Sequence, residues 1–530
     1  MIQYGELTLS EKPAEYPALP EAVKGGSFFR HMAFFGPGAI IACVTIGSGE
    51  TVFASRGGAV FGYAIAWVFI MSAIFKGVQV YSGARFMTLT GRHPLESWAE
   101  LPGPRAWFVW LLAFMSIVWM PFWLGGGLPK MLGDFTNWIV GIHAAEGLAE
   151  GEIDRNFLLA SRLWATGFIV VGLTFTWFQS YRIFEKVQTG IVALLLFCML
   201  VAAAFSNPDL LALIRGTFVP TKPEFEPWLM EKYPKDFLGK FPWVEVVLYI
   251  GVIGGGTQDY FGYLGLLRAK LWGMLGRSKD ISAPGPGAIG ESAENLERGR
   301  RWLLPAKFDV GISFTAVLIF TACFLILGAV YLHAKEKVPT GTELLTMQAG
   351  YLVQADHPAM VRMLLGFIYK TGIFFAFLGT IWGAYELYTW TMRECLVAAM
   401  PRLRGVSIKK FRLATMLWCG IGGLVIIWTF TKDPKVIVTP AALIGSSLTC
   451  GLWCFAILWS DKVHVPKALR MGVLLRALIV VAGLALTVVP AIGIYQYVQK
   501  QLADETKQVE SDVDGGADEA RAAGEASVDE

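Results

Sequence analysis

The chain has 530 residues, 55% of them hydrophobic and only 16% charged, with a formal net charge of +3 and a mean hydropathy of +0.51. A soluble protein of this length carries more charge and shorter apolar runs. So small a net charge points to no nucleic-acid partner.

Residues 1–32 are polar and lack the short apolar core of a cleaved signal peptide, so they read as a cytoplasmic N-terminal segment. Eleven apolar stretches follow, at 33–54, 59–88, 106–127, 158–178, 184–206, 243–272, 305–333, 362–390, 411–430, 437–459 and 469–497. Most approach or exceed the ~20 residues that cross a hydrocarbon core of ~30 Å. The expected fold class is therefore an all-α polytopic membrane protein with about 11 transmembrane helices. Residues 33–206 and 243–459 are expected to form two five-helix halves, with 207–242 an extracytoplasmic loop and 469–497 an added helix. Residues 501–530, rich in Glu, Asp, Gly and Ala, read as a disordered acidic tail.

Basic residues concentrate in alternate connections: Arg92 and Arg105, Arg182 and Lys186, Arg298 to Arg301, Arg402 to Arg412, Lys462 and Lys467. The intervening loops are acid-balanced, as in Glu224, Glu226, Glu231 and Asp236. By the positive-inside rule the N-terminus lies in the cytoplasm of a plasma (inner) membrane. All seven cysteines (Cys43, Cys198, Cys323, Cys395, Cys419, Cys450, Cys454) fall in apolar stretches without zinc-ligand spacing and read as small core residues.

Two stretches carry glycine breaks. The first runs Thr45-Ile-Gly47-Ser-Gly49-Glu50, the sixth Ile253-Gly254-Gly-Gly-Thr257-Gln258-Asp259-Tyr260. Each glycine weakens a helix by about 1 kcal/mol relative to alanine, and uncoiled backbone at membrane depth survives only where it lines a cavity or is packed in protein. An acid follows each break at once, and a carboxylate in mid-bilayer costs at least ~2.5 kcal/mol, so it marks function more often than structure. Matched Gly-interrupted spans one and six are the arrangement expected of an inverted repeat with its site at the breaks. The competing reading makes the glycines packing contacts and the acids structural ion pairs.

Glu50 and Asp259 supply carboxylate oxygens, Gln258 and Thr257 neutral ones, and uncoiling around Gly47 and Gly254 frees carbonyls. Such oxygens form a hard ligand set suited to Mg²⁺, Mn²⁺ or Ca²⁺. All six histidines lie near stretch ends or in connections, so carboxylates would carry any coupled proton. Glu386 is one such carrier, or else the partner of Arg393. Lys76, in mid-stretch, either neutralises Glu50 or Asp259 in the place of a coupling ion, or makes a structural salt bridge. Tyr260 completes the residues expected to couple or gate.

From Gly36 to Leu95 the chain resembles the Nramp family of divalent metal transporters: Gly36-Pro-Gly, the break, Gly62 and Tyr63, Trp67, Gln79, Ala84-Arg85 and Thr90-Gly91. Fainter echoes are Tyr181-Arg182 with Glu185, Gly251 to Gly254, Asp309 and Leu325 to Leu327. The resemblance implies the five-plus-five inverted repeat of the amino acid–polyamine–organocation superfamily, with an eleventh helix. Where that family has Asp-Pro-Gly-Asn, this chain has Gly47-Ser48-Gly49-Glu50; where it has Met-Pro-His, this chain has Gln258-Asp259-Tyr260. Glu50, Gln258 and Asp259 thus hold the metal-ligand region with different donor atoms.

The expected function is secondary transport of a small hard divalent cation past a midplane site, by alternating access. The metal would be cargo and not a resident cofactor, and the lipid bilayer the only other partner the sequence implies. It specifies no oligomeric state. The same fold carrying a small organic solute, such as an amino acid or amine, is the alternative. Lys76 and the aromatic residues Phe53, Tyr260, Tyr263 and Tyr385 would suit such a solute. A receptor or scaffold finds no sizeable soluble domain here, and an enzyme finds no nucleophile–base pair.

Overall fold

The computed structural model describes residues 13–495 except 26–27, 48, 144–153, 179, 278–279, 281–284, 340–342, 355–357, 430–440 and 493, together with 499. The proposed acidic tail, 501–530, lies outside the described residues. Its regular secondary structure is helical among the described residues, apart from an isolated bridge between Ala14 and Ile289.

Seven helices are long and apolar enough to span a membrane: Trp107–Ile139, Arg155–Phe178, Tyr181–Phe205, Ala293–Lys335, Ala359–Ala399, Ile408–Thr429 and Val473–Ile492. Pro37–Thr45 and Gly49–Phe61, bent by 47°, together make an eighth. The other three of the eleven expected spans are helical but atypical. Ala66–Thr90 carries Lys76, Gln79 and Arg85. Pro242–Val252 and Thr257–Leu267 are two 11-residue pieces of one interrupted span. Ala441–Leu448 is π-helical and leads into Thr449–His464.

Three spans outrun their expected limits for local reasons. The third continues past residue 127 because Lys130 and Asp134, one turn apart, pair at 3.1 Å and satisfy each other. The seventh begins at Ala293, where the Ser292 hydroxyl accepts the Asn295 N–H, and its first turns are polar. The eighth runs on through Arg393 and Glu394 to Ala399.

Apolar side chains point outward on the fourth, fifth, ninth and eleventh spans: Phe178 is 80% exposed and Val473 83%. Charged side chains are inside, among them Glu50, Lys76, Arg85, Asp309, Arg393 and Glu394. That inversion of the water-soluble pattern marks an integral membrane protein. The seven cysteines are buried and unpaired.

The buried charges are largely matched. At one end of the bundle Arg56 grips Glu245 with two bonds of 3.0 Å, and the Tyr249 hydroxyl adds a third at 2.9 Å. At the end that carries residues 13–25, Arg268 joins Glu394 by two 3.0 Å bonds and Glu96 by one of 2.7 Å. His93 borders this cluster. Burial, the largest effect on its imidazole, pushes the pKa down to about 4, leaving it neutral. Its Nδ1 accepts the Leu95 N–H, so Nε2 carries the proton and donates to the Phe261 carbonyl.

Candidate functional site

Both glycine breaks are uncoiled. In the first span the α-helix ends at Thr45, Ile46 leaves helical geometry, and a π turn over Gly49–Phe53 precedes the second half. In the sixth, Ile253 is extended. Gly254 and Gly255 follow at φ +80° and +81°, a region that costs an L side chain ~1–2 kcal/mol. Gly256 then starts the second half, and Asp259 accepts the Gly256 N–H at 2.8 Å, capping that half-helix.

Side chains from the second, sixth and eighth spans bond carbonyls that the breaks release. Thr380, on the eighth span, has one hydroxyl proton to give and places it within reach of the Cys43 carbonyl at 2.9 Å, the Ile46 carbonyl at 3.2 Å and, in its own helix, the Ala376 carbonyl at 2.8 Å. Lys76, on the second span, sends its ammonium to the carbonyls of Gly251 (2.9 Å), Ile253 (2.6 Å) and Gly255 (2.7 Å). The Tyr260 hydroxyl takes the Gly254 carbonyl at 2.6 Å. The two breaks are joined directly, since Glu50 Oε1 accepts the Gly254 N–H at 2.7 Å.

Between the breaks lies a cavity of about 40 Å³. Gly47, Gly255, Gln258 and Asp259 line it from the broken spans, and Trp123, Thr380, Tyr388 and Ser446 from the third, eighth and tenth. Gln258 Nε2 reaches Asp259 Oδ2 and Ser446 Oγ, both at 3.3 Å, while its Oε1 is buried without a donor. An unpartnered buried acceptor beside a carboxylate leaves a place that a water or a cation can fill. Among the described residues, neither Cys, Met nor His lines the cavity.

Of the residues expected at the site, Gly47, Gln258 and Asp259 meet at the cavity. Glu50 does not line it but braces the breaks, with Oε2 buried and unpartnered. Gly254 and Tyr260 belong to the same brace. Thr257 turns toward the tenth span, 3.0 Å from the Gly445 carbonyl and 2.8 Å from the Thr449 hydroxyl.

Glu386 takes Arg412 through two 2.9 Å bonds and the Trp390 indole at 3.1 Å, while Arg393 pairs with Glu394. Lys76 bonds main-chain carbonyls rather than a carboxylate; Glu50 and Asp259 act on it only at longer range. Sequence reasoning missed Thr380, Tyr388, Ser446 and Trp123. The paired hydroxyls of Ser446-Ser447, which interrupt an apolar run, were the available signal.

The profile of the Nramp family, described as Natural resistance-associated macrophage protein-like, matches residues 38–496. This chain belongs to the Nramp family. This Nramp chain is 27% identical over 219 residues to the divalent metal cation transporter MntH of Agrobacterium fabrum, an alignment covering 41% of the chain and 42% of the relative. It is 25% identical over 194 residues to the metal transporter Nramp3 of Oryza sativa subsp. japonica, covering 36% and 31%. The chain thus spans less than half the length of the curated relatives it matches. Structural likeness runs further. A manganese transporter of Eremococcus coleocola superposes with a TM-score of 0.64 at 15% identity, over 92% of this chain and 91% of that one. MhsT, solved with L-phenylalanine, superposes at 0.54 and 14%, over 86% and 97%. The fold is therefore the inverted repeat with broken first and sixth helices, and the 47° bend and the Gly254–Gly256 interruption are its hallmarks in this Nramp chain.

In this member Gly47 stands where the resemblance places an aspartate. A Cβ there would lie 3.0–3.1 Å from Thr380, so the close eighth span leaves little room for a side chain. The carboxylate near the first break comes instead from Glu50, and the one that reaches the cavity from Asp259.

Proposed function

We propose that this protein is a secondary transporter of a hard divalent metal cation, Mg²⁺ or Mn²⁺, moved by alternating access through the cavity between the breaks. The observation that carries the proposal is the donor set there. The Asp259 carboxylate, the unpartnered Gln258 Oε1 and the Ser446 hydroxyl are all oxygens and lie together. Oxygen-only sites suit Mg²⁺ and Mn²⁺. The curated relatives bear the names of metal and divalent metal cation transporters, which supports the same cargo class.

A cavity of about 40 Å³ holds roughly three water-sized spheres, enough for an ion with a residual water. That volume is small beside the ~300 Å³ and more of pockets that enclose drug-sized ligands, which favours an ion over a larger organic solute. In this reading the ion is cargo, the protein has no resident cofactor and is not an enzyme. Residues 33–206 and 243–459 are the halves that move against each other, and the N-terminus faces the cytoplasm of the plasma membrane.

Proteoliposome uptake of Mn²⁺ and Mg²⁺ tests this. Wild type should show saturable uptake that added amino acids leave unchanged, and Asp259→Asn should lower it about tenfold or more. Equal uptake by wild type and Asp259→Asn would overturn the proposal.

A further inference from the structure

Lys76 lies in mid-span, completely buried. An ammonium there is costly unless each of its protons has an acceptor. It has three protons and makes three bonds, to the carbonyls of Gly251, Ile253 and Gly255. Two of these acceptors, Gly251 and Ile253, belong to the last turn of Pro242–Val252 and the residue after it, the negative end of a half-helix. The third, Gly255, is the second of the two left-handed glycines. In broken-helix transporters, half-helix C-terminal ends and uncoiled carbonyls are where a coupling cation is held.

The geometry points to a cation cage at the sixth-span break that the chain fills with its own Lys76 ammonium, so that removing the side chain opens the cage to a free small monovalent cation. Three observations support the assignment. The ligands are all neutral main-chain oxygens, a set that holds one positive charge without needing a carboxylate. Three other groups brace the break independently: Glu50 on the Gly254 N–H, Tyr260 on the Gly254 carbonyl and Asp259 on the Gly256 N–H. The cage therefore has means of keeping its shape when the ammonium leaves. Finally, Gly254 lies against the Lys76 stem, its Cβ position 3.2 Å from Lys76 Cδ, so deleting that stem vacates the space beside the carbonyls. As a consequence, the wild-type break needs no monovalent ion from solution.

The inference rests on the fold alone and stands whichever cargo is carried. The test is thermal unfolding of purified, detergent-solubilised wild type, Lys76→Ala, Lys76→Ser and Lys76→Met in choline, sodium, potassium, ammonium or methylammonium chloride at constant ionic strength. Wild type should unfold at the same temperature in all five. Lys76→Ala and Lys76→Ser should fall by about 5 °C or more in choline and recover, saturably, with at least one small cation. Lys76→Met, which fills the space without charge, should fall and not recover.

Three results would each overturn the inference. One is Lys76→Ala as stable as wild type in choline. Another is recovery by none of the small cations, including failure of both small variants to fold in every salt. The third is a wild type that shows the same cation response as the variants.

Discussion

At the scale of single residues, Glu50 shows how position and role separate. It follows the first break, where an ion ligand was expected, yet its Oε1 is committed to the Gly254 N–H across the bundle, 204 residues away in sequence. That bond tolerates an amide oxygen but not a methyl group. Glu50→Gln should therefore keep most of the stability, whereas Glu50→Ala should lose about 1–3 kcal/mol, the usual cost of leaving a buried N–H without its acceptor. Chemical denaturation of the two variants in detergent measures the difference, and equal losses would contradict the bracing role. Asp259 has two duties at once: it caps its half-helix through the Gly256 N–H and presents its carboxylate to the cavity. Replacing it with asparagine preserves a capping oxygen and removes the charge, which makes it the cleaner probe of the ion.

Among the elements, each break is stitched by a side chain from a span that is itself continuous. Thr380 serves the first and Lys76 the sixth. A buried carbonyl left without a donor costs about 1–3 kcal/mol. Thr380→Val, nearly the same shape, should thus lower stability by about 1–2 kcal/mol. It should also weaken metal uptake, because Thr380 lines the cavity as well. Paired unfolding and uptake measurements check both effects; a Thr380→Val protein equal to wild type in each would show the first break to be self-supporting. The glycines and the acids that follow them were readable as a break because both signals are local. Thr380 was not, since one hydroxyl in an apolar run looks like any helix-interior threonine bonding its own preceding turn, which it also does through Ala376.

For the whole molecule, the charge clusters at the two ends of the bundle hold the spans in register. The Arg268–Glu394–Glu96 cluster is buried, with Arg404 also reaching Glu96 at 3.3 Å. Deleting one member of such a cluster strands its partners, at a cost of about 3–5 kcal/mol. Arg268→Met should accordingly depress folded yield and unfolding temperature, and added salt should restore little because buried charges are poorly screened. Lys232→Ala, which breaks the exposed pair with Glu336, is the control and should change neither. Measuring both by fluorescence-detected size exclusion over a temperature series separates them; similar behaviour of the two variants would contradict the difference in burial.

Hydropathy and glycine placement, both readable along one dimension, established the spans, the two interruptions and the acids that follow them. They also carried the family resemblance, since its motifs are contiguous runs such as Gly36 to Leu95. Only the packed bundle showed that Lys76 faces carbonyls, that Glu50 ties break to break, that Arg412 answers Glu386, and that Ser446, Tyr388 and Thr380 close the cavity. Many of these spans are apolar around much of their circumference, so no periodic stripe reveals which face turns inward. The partners are chosen by which helices meet, and that follows from three-dimensional packing over separations that run from the 26 residues between Glu386 and Arg412 to the 175 between Lys76 and Gly251 and the 204 between Glu50 and Gly254.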